Sequence, residues 1–242
     1  DHAKRILFMT GTALENRVNE MIELISILQP QIEYEVDGME YLSSAPEFRE
    51  KVAPVYYRRK REEVLTELPQ LIENKEWLDM NPVEKEAYYN AVMSDNMQAP
   101  RRVSWNVANI ADSSKAKRLK EIVDEATDDG RKVIVFSKFL DTIKKVKLVL
   151  GDKCVEHING AVSPQRRQEI IDEFNNAKAG AVLPAQIQAG GTGLNIQSAS
   201  VVIICEPQFK PSIENQAISR AYRMGQTRNV LVYRLLCEDS ID

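Results

Sequence analysis

The chain has 242 residues, 43% of them hydrophobic and 28% charged, and a formal net charge of -4. These values are typical of an ordinary globular protein, and the length allows one large domain with part of a neighbour. No stretch approaches the roughly 18 consecutive apolar residues of a membrane helix, and the three cysteines are too widely spaced to indicate a disulfide framework or a zinc site. The composition therefore predicts an intracellular protein with no membrane partner and no metal site.

The first seventy residues are predicted to be mainly helical. Residues 6–10 form one short apolar run that resembles a buried strand, although a single strand cannot form a sheet. Apolar residues then recur at spacings of three and four over Val18–Leu28, and a helix-like piece follows at 47–52. We therefore expect residues 1–14 to be the tail of a preceding domain and residues 15–70 to be a helical insertion.

From residue 71 to residue 242 the pattern alternates between short β-branched runs and amphipathic stretches. Such alternation is typical of an α/β lobe in which helices cover both faces of a parallel sheet. The expected strands are 71–80, 133–136, 154–158, 181–183, 200–204 and 230–235. The expected helices are 83–97, 115–127, 140–150, 163–174 and one that begins at Pro211 and carries Arg220 and Arg223.

A glycine cluster, Gly-Gly-Thr-Gly, occupies residues 190–193. Glycines allow successive backbone N–H groups to converge on an anion, and Thr192 adds a hydroxyl donor. The cluster would suit the phosphate of a nucleotide or of a nucleic-acid backbone. The alternative is an ordinary glycine turn between a strand and the next element.

Two arginines follow a glutamine near the end of the chain, at spacings of four and seven residues: Gln216, Arg220 and Arg223. On a helix these spacings would place all three side chains on one stripe. Two guanidinium groups can clamp a triphosphate and stabilise the charge of phosphoryl transfer. The alternative is an exposed basic helix face with no ligand.

Several segments resemble, in the expected order, the motifs of one family. The chain resembles the C-terminal half of a SWI/SNF-type ATPase, the double-stranded-DNA translocase branch of the superfamily-two helicases. The matching segments are 9–16 (motif III, at the end of a first lobe), 57–69 (a basic element), 132–139 (motif IV), 159–175, 189–195 (motif V) and 216–226 (motif VI). The departures from the family pattern are Ala13 in place of proline, Glu206 in place of aspartate, and Phe209-Lys210-Pro211 in place of Trp-Asn-Pro.

The resemblance implies a RecA-like lobe of the P-loop-NTPase type that forms one wall of an ATP site. A first RecA-like lobe would hold ATP and Mg²⁺, and the arginine fingers across the cleft would be Arg220 and Arg223. Residues near the nucleotide would be Gln216, Gly191 and Gly193. Contacts with the phosphate backbone of double-stranded DNA would come from Ser137, Lys138, Gly160, Thr192 and Asn195. The implied function is that of the second motor lobe of an ATP-dependent DNA translocase or remodeller.

The sequence contains neither of the motifs that grip a nucleotide and its metal ion. No GxxxxGK[ST] phosphate loop occurs, and no glycine precedes a lysine anywhere in the chain. The segment Asp124-Glu125-Ala126 imitates a DExx box, but it lies in a stretch predicted to be helical, where acidic residues form a solvated face. We therefore expect the chain alone to be inactive and to bind no cofactor tightly.

Two other functions stay open at this point. One is a non-catalytic RecA-like module that binds a protein partner, and the other is an RNA-dependent or polymerase-recycling ATPase of the same branch. A self-contained metabolic enzyme is disfavoured, because His2 and His157 are the only histidines and no nucleophile–base pair stands out. The expected location is the bacterial cytoplasm with its nucleoid, or the nucleus.

Overall fold

The structure is a computed structural model that describes residues 6–9, 18–39, 45–57, 68–189 and 195–242. The chain divides into two units, Asp1–Thr66 and Glu67–Asp242. The division falls shortly before residue 71, where the second lobe was expected to begin. The assignment of residues 1–14 to a preceding lobe stays a prediction.

Short helices make up most of the described part of the first unit. They are α1 (Val18–Leu28), α2 (Pro30–Val36) and α3 (Pro46–Val52). A proline in the first turn starts both α2 and α3, where its missing N–H has no intrahelical partner to lose. Inward-facing side chains of the three helices form one apolar cluster in which Val36 and Phe48 are completely buried.

Residues 6–9 do not form the strand that the sequence predicts. They carry no strand assignment, and Leu7 and Met9 are 81% and 87% exposed. A strand needs a neighbour that satisfies its backbone groups, and the described part of this unit contains helices and turns only. The prediction is therefore wrong for these four residues, and residue 10 lies outside the described part.

The second unit is built on a parallel sheet of five strands, in the order β1-β5-β4-β2-β3. The strands are β1 (Leu71–Leu78), β2 (Lys132–Ser137), β3 (Val182–Gln186), β4 (Ala199–Ile204) and β5 (Val230–Cys237). The helices are α4 (Pro82–Val92), α5 (Ser114–Asp128), α6 (Leu140–Leu150), α7 (Pro164–Asn176) and α8 (Pro211–Ile218). The predicted parallel α/β architecture is confirmed.

Apolar clusters cover both faces of the sheet. Successive side chains of a strand point to opposite faces, and β2 shows this directly. Ile134 and Phe136 belong to the cluster that includes Phe174 of α7, whereas Val133 and Val135 belong to the cluster that includes residues of α5 and α6. Burial on both faces explains why the strands are continuous apolar runs rather than alternating ones.

The helix starts follow the capping residues of the sequence. The hydroxyl of Ser163 accepts from the N–H of Arg166 at the start of α7, and Pro164 is the first helical residue, as predicted. Ser113 caps α5 in the same way. None of the helices in the described residues is long and apolar enough to cross a membrane.

Two predicted elements are shorter in the structure. Helix α4 ends at Val92 rather than at residue 97, because Ser94 and Asn96 hydrogen-bond locally to the backbone and compete with helical bonding. The expected strand at 154–158 is reduced to two isolated bridges, to Val182 and to Ala185 of β3.

Candidate functional site

The carboxyl ends of the parallel strands meet at one edge of the sheet, which we call the carboxyl edge. The strand β2 ends at Ser137, and Lys138 follows it directly. The amide of Gln186, at the end of β3, donates to the carbonyl oxygen of Lys138 at 3.1 Å. Glu206 lies two residues after the end of β4. Residues from three neighbouring strands therefore converge on the turn after β2.

One carboxylate oxygen organises this turn. The hydroxyl of Ser137 donates to Glu206 Oε1 at 2.8 Å, and the backbone N–H of Lys138 donates to the same oxygen. The Ser137 hydroxyl also accepts from the N–H of Phe139 at 3.0 Å. Both Ser137 and Glu206 are 1% exposed. Burial raises the pKa of Glu206 to about 7, although the two hydrogen bonds act in the opposite direction.

Positive charge surrounds the ring that follows the turn. The cationic groups of Arg101, Arg102 and Lys138 lie 5.9, 5.7 and 5.9 Å from the centroid of the Phe139 ring. The guanidinium of Arg101 also stacks on the exposed ring of Phe209, at 4.0 Å from its centroid. These distances are within the range of cation–π attraction. Three cationic groups therefore lie at the carboxyl edge of a chain that is acidic overall, and one of them, Arg102, is paired with Asp141 at 3.7 Å.

Gly160 lies near the same edge. Ile158 bridges Ala185 close to the end of β3, and Gly160 follows two residues later in an exposed turn. A Cβ atom added at Gly160 would meet nothing within 4 Å. The fold itself therefore leaves space for a side chain here, and an approaching backbone would give a reason for glycine.

The arginine pair does not lie on the predicted helical stripe. Helix α8 begins at Pro211 as expected, but it ends at Ile218, so that Gln216 is helical while Arg220 and Arg223 lie in the turns that follow. The hydroxyl of Ser219 donates back to Gln216 O at 2.7 Å. The N–H groups of Arg220 and Ala221 then bond to carbonyl oxygens three residues earlier, a tighter spacing than in an α-helix. The single stripe is therefore wrong, because the helix tightens into turns before the first arginine.

A buried glutamine shapes the segment that holds both arginines. We call residues 219–228 the arginine loop. The amide nitrogen of Gln226 donates to the carbonyl oxygens of Gln197, Ala199 and Ala221 at 2.9 to 3.1 Å. Its oxygen accepts from the N–H groups of Thr227 and Arg228. One side chain thus contacts five backbone groups, with its two amide protons shared among three carbonyl oxygens, and determines the course of the loop.

The arginine loop is also bonded to the segment that follows the glycine cluster. The N–H of Ile196 donates to Arg220 O at 3.3 Å, and the amide of Gln197 donates to Met224 O. Asn195 is exposed and precedes these two residues. Gly225 has φ +93, and a Cβ atom there would come within 3.0 Å of the Gln197 side chain. Ile196, Gln197 and the arginine loop therefore form one hydrogen-bonded substructure.

This substructure precedes the first residues of β4 and β5, whereas Ser137 and Lys138 follow the last residue of β2. A strand of this length separates the two edges of the sheet by roughly 15–20 Å. The structure therefore brings Ser137, Lys138 and Gly160 together at the carboxyl edge, and it places Asn195 beside the arginines. Gly191, Thr192 and Gly193 lie between these regions in sequence and outside the described residues.

The electrostatics of the arginine loop favour an anion. Burial, followed by the charge of Arg223, lowers the pKa of Arg220. Two guanidinium groups that repel one another would both be stabilised by a shared phosphate. In the described residues no group of three or more His, Cys, Asp or Glu side chains is arranged to hold a metal ion. The donor set of this loop therefore suits the phosphates of ATP but not Mg²⁺.

The DExx-like segment is a surface feature. Asp124 and Glu125 lie within helix α5 and form ion pairs with Lys153 and Arg118, at 2.6 and 3.0 Å. Carboxylates engaged in exposed helix pairs do not form a magnesium site after a buried strand. The prediction of a solvated acidic helix face is confirmed.

Comparisons with known proteins agree with this fold. A family model described as the helicase conserved C-terminal domain matches residues 114–225. The C-terminal part of the Fun30 ATPase domain has a TM-score of 0.63 at 19% identity, over 72% of this chain and 87% of its own. These matches support a C-terminal lobe like that of the SWI/SNF-type, helicase-like ATPases. A Sulfolobus solfataricus SWI2/SNF2 ATPase core in complex with dsDNA shares the fold with this lobe, at a TM-score of 0.53 and 22% identity over 94% of this chain and 56% of that one.

Curated relatives are much longer than this lobe. An "Uncharacterized ATP-dependent helicase" of Mycoplasma pneumoniae is 29% identical over 98% of the chain and 26% of its own length. "Protein CHROMATIN REMODELING 4" of Arabidopsis thaliana is 28% identical over 98% of the chain and 13% of its own length. The chain therefore spans about a quarter, or less, of the length of these relatives.

Sequence reasoning missed the two residues that organise the site. Glu206 drew attention only as a departure from aspartate, and Gln226 only as the end of a motif. A carboxylate two residues after the apolar run of a buried strand is a signal that indicates a buried acid. For Gln226 the sequence carries no comparable signal, since its five partners are backbone groups.

Proposed function

We propose that this lobe is the second motor lobe of an ATP-dependent double-stranded-DNA translocase or remodeller. The hydrogen-bonded union of the arginine loop with the segment at 195–197 carries the proposal. It joins residues suited to a triphosphate to the residues that follow, in sequence, a glycine cluster suited to a nucleic-acid phosphate. The names of two relatives, an ATP-dependent helicase and a chromatin-remodelling protein, support the same class.

The nucleotide side of the proposal assigns Arg220 and Arg223 to the phosphates of ATP. ATP and Mg²⁺ would be held mainly by a first RecA-like lobe, with Gln216, Gly191 and Gly193 near the nucleotide. The guanidinium groups would stabilise the negative charge that develops on the transferred phosphoryl group, an effect of about 10³–10⁵ in rate. Gln226 and Gln197 would keep the loop in shape by fixing its backbone.

The DNA side of the proposal assigns the carboxyl edge to the phosphate backbone. Lys138 is partly exposed and its ammonium donates to Gln98 Oε1 at 3.2 Å, while Gly160 leaves room for a close backbone approach. The Ser137 hydroxyl is bonded to Glu206 and would act by holding the turn. Thr192 and Asn195 would extend the contacts toward the arginine loop. Contacts of this kind bind DNA without reading its sequence.

Movement would follow from opening and closing of the cleft between two lobes. In this proposal ATP draws the lobes together, and release of the products lets them separate. A DNA strand held at the carboxyl edge would then be moved relative to the first lobe. The first lobe is therefore the obligatory partner, further protein partners are compatible with the proposal, and the nucleus or the bacterial nucleoid is the expected location.

The test is ATP hydrolysis with different nucleic acids. This chain alone should hydrolyse ATP no faster than a buffer blank, because the described residues offer no metal site. A protein that contains this lobe together with a first lobe should be stimulated most by duplex DNA. Stimulation by RNA alone would favour an RNA-dependent or polymerase-recycling ATPase. Absence of hydrolysis with every nucleic acid would favour a protein-interaction module.

A further inference from the structure

Glu206 is a buried carboxylic acid with an asymmetric environment. It follows β4, whose six residues are all buried, and it is itself 1% exposed. Its Oε1 atom accepts two hydrogen bonds, whereas Oε2 is buried and has no hydrogen-bond partner. A buried polar atom without a partner is unfavourable, so the retention of an acid here calls for a specific role.

No hydrogen bond joins Glu206 to the buried ammonium of Lys115, although the charge of Lys115 lowers the pKa of Glu206. The ammonium is paired with Asp242 at 2.5 Å and donates to Cys205 O at 3.2 Å. Both hydrogen bonds of the Glu206 side chain go instead to Ser137 and Lys138. The side chain is therefore devoted to the turn at residues 137–139.

We propose that Glu206 is a positioning residue that holds the turn at residues 137–139 in the conformation in which Lys138 meets a DNA phosphate. The inference deepens the proposed function and rests on DNA binding at the carboxyl edge. Oε1 fixes the N–H of Lys138 from one side, and the Gln186 amide fixes the carbonyl oxygen of the same residue from the other. With both backbone groups held, the Lys138 side chain leaves the turn from a fixed position, so that less backbone entropy is lost on binding.

The proposal predicts how variants at this turn behave in DNA binding. Lys138→Ala should weaken binding of a short fluorescent duplex by about tenfold, the size of one charged contact. Glu206→Ala should weaken it at least as much, because the turn loses both of its anchors on Oε1. Glu206→Gln keeps an acceptor oxygen at Oε1 and should restore affinity to within about threefold of the unmodified chain.

A double variant distinguishes positioning from an independent contribution. If Glu206 acts through Lys138, the variant that combines Glu206→Ala with Lys138→Ala should bind no more weakly than Glu206→Ala alone. If the two residues act independently, the two losses multiply. Ser137→Ala removes one of the two hydrogen bonds to Oε1, together with the bond from Phe139 N–H to the hydroxyl, and keeps the bond from Lys138 N–H; as a second probe it should lose about threefold in affinity.

The measurement is fluorescence anisotropy with the 242-residue chain and the duplex at about 50 mM salt, where phosphate contacts bind most strongly. Urea midpoints of all variants identify any that is not folded, and Ser137→Ala replaces Glu206→Ala if the latter is unfolded. If Lys138→Ala weakens DNA binding but Glu206→Ala binds normally, the inference is overturned. If Glu206→Ala is unfolded, normal binding by Ser137→Ala overturns it in the same way. A Glu206→Gln variant as weak as Glu206→Ala also overturns it. No binding by the unmodified chain, or none of the expected loss in Lys138→Ala, overturns the proposed DNA face and the inference with it.

Discussion

The buried carboxyl group of Glu206 should make the lobe less stable as the pH rises toward neutrality. Its pKa is raised from 4.5 to about 7 in the folded chain, first of all by burial. Well below pH 4.5 the group is protonated in both the folded and the unfolded chain, so it adds no pH dependence to the free energy of unfolding. Between these two pKa values the unfolded chain releases the proton while the folded chain retains it, so the free energy of unfolding falls by about 1.4 kcal/mol per pH unit.

The whole effect of this one group amounts to about 3 kcal/mol between pH 4.5 and pH 7, and it levels off above that. Glu206→Gln removes the ionisable group and keeps an oxygen acceptor for Ser137 and Lys138. The variant should therefore gain stability over the unmodified chain as the pH rises. At pH 5 the two should differ little, and at pH 8 by about 3 kcal/mol.

Urea unfolding at pH 5, 6, 7 and 8 measures this difference. Trp105 is 1% exposed and donates to Cys205 O, next to Glu206, so its fluorescence reports on the relevant part of the core. Glu156→Gln is the matched control, because hydrogen bonding to Arg166 lowers the pKa of that exposed carboxyl group. The control should show no growing gain from pH 5 to 8. A difference between Glu206→Gln and the unmodified chain that stays constant over this range would refute the reasoning.

Three further substitutions test the packing around the site by chemical denaturation. Gln226→Ala removes the contacts with five backbone groups and should lower the free energy of unfolding by about 2–4 kcal/mol. Gln216→Ala, on the exposed side of α8, should lower it by less than about 0.5 kcal/mol. Equal losses would contradict the anchoring role of Gln226. Lys115→Met leaves its carboxylate partner buried and unpaired and should cost about 3–5 kcal/mol, so a neutral effect would show that the ion pair is not buried. Gly180→Ala, at φ +79, places a Cβ atom 2.4 Å from a threonine oxygen, whereas Gly130→Ala, at φ +67, has no contact closer than 3.9 Å. The first substitution should therefore lower the free energy of unfolding by about 1–3 kcal/mol more than the second. Equal losses would mean that backbone strain alone determines the effect.

The parallel sheet was predictable because its sequence signals are strong and local. β2 and β4 each contain four successive apolar residues, and amphipathic helices separate them along the chain. This pattern is typical of a parallel sheet that is buried on both faces. Cap residues such as Ser163 and Pro164 then locate the helix starts to within one residue. Of the residues that the family resemblance assigns to DNA and ATP, Ser137, Lys138 and Asn195 lie close to strand ends at the edges of this sheet.

The errors came where tertiary contacts outweigh local pattern. The spacing of Gln216, Arg220 and Arg223 is helical, but the chain turns after Ile218 because Gln226 binds backbone groups that a continuing helix would not offer it. The apolar run at 6–9 has the composition of a strand, but in the described part of its unit no other strand is present to pair with it. Partners distant in sequence decide both cases, and periodicity within one segment carries no information about them.

The assignment of the arginine loop to the wall of an ATP site depends most directly on how Arg223 acts on bound ATP. The measurement is single-turnover ATP hydrolysis, with duplex DNA, by a protein that joins this lobe to a first lobe. Arg223→Ala should slow turnover by about 10³-fold or more while ATP affinity changes little. Arg228→Ala is the matched control in the same loop, since its guanidinium binds the carbonyl oxygens of Asp129 and Gly130, and it should leave turnover largely intact. Normal turnover by Arg223→Ala, or lost ATP binding with turnover preserved, would contradict the assignment of the arginine loop to the wall of an ATP site.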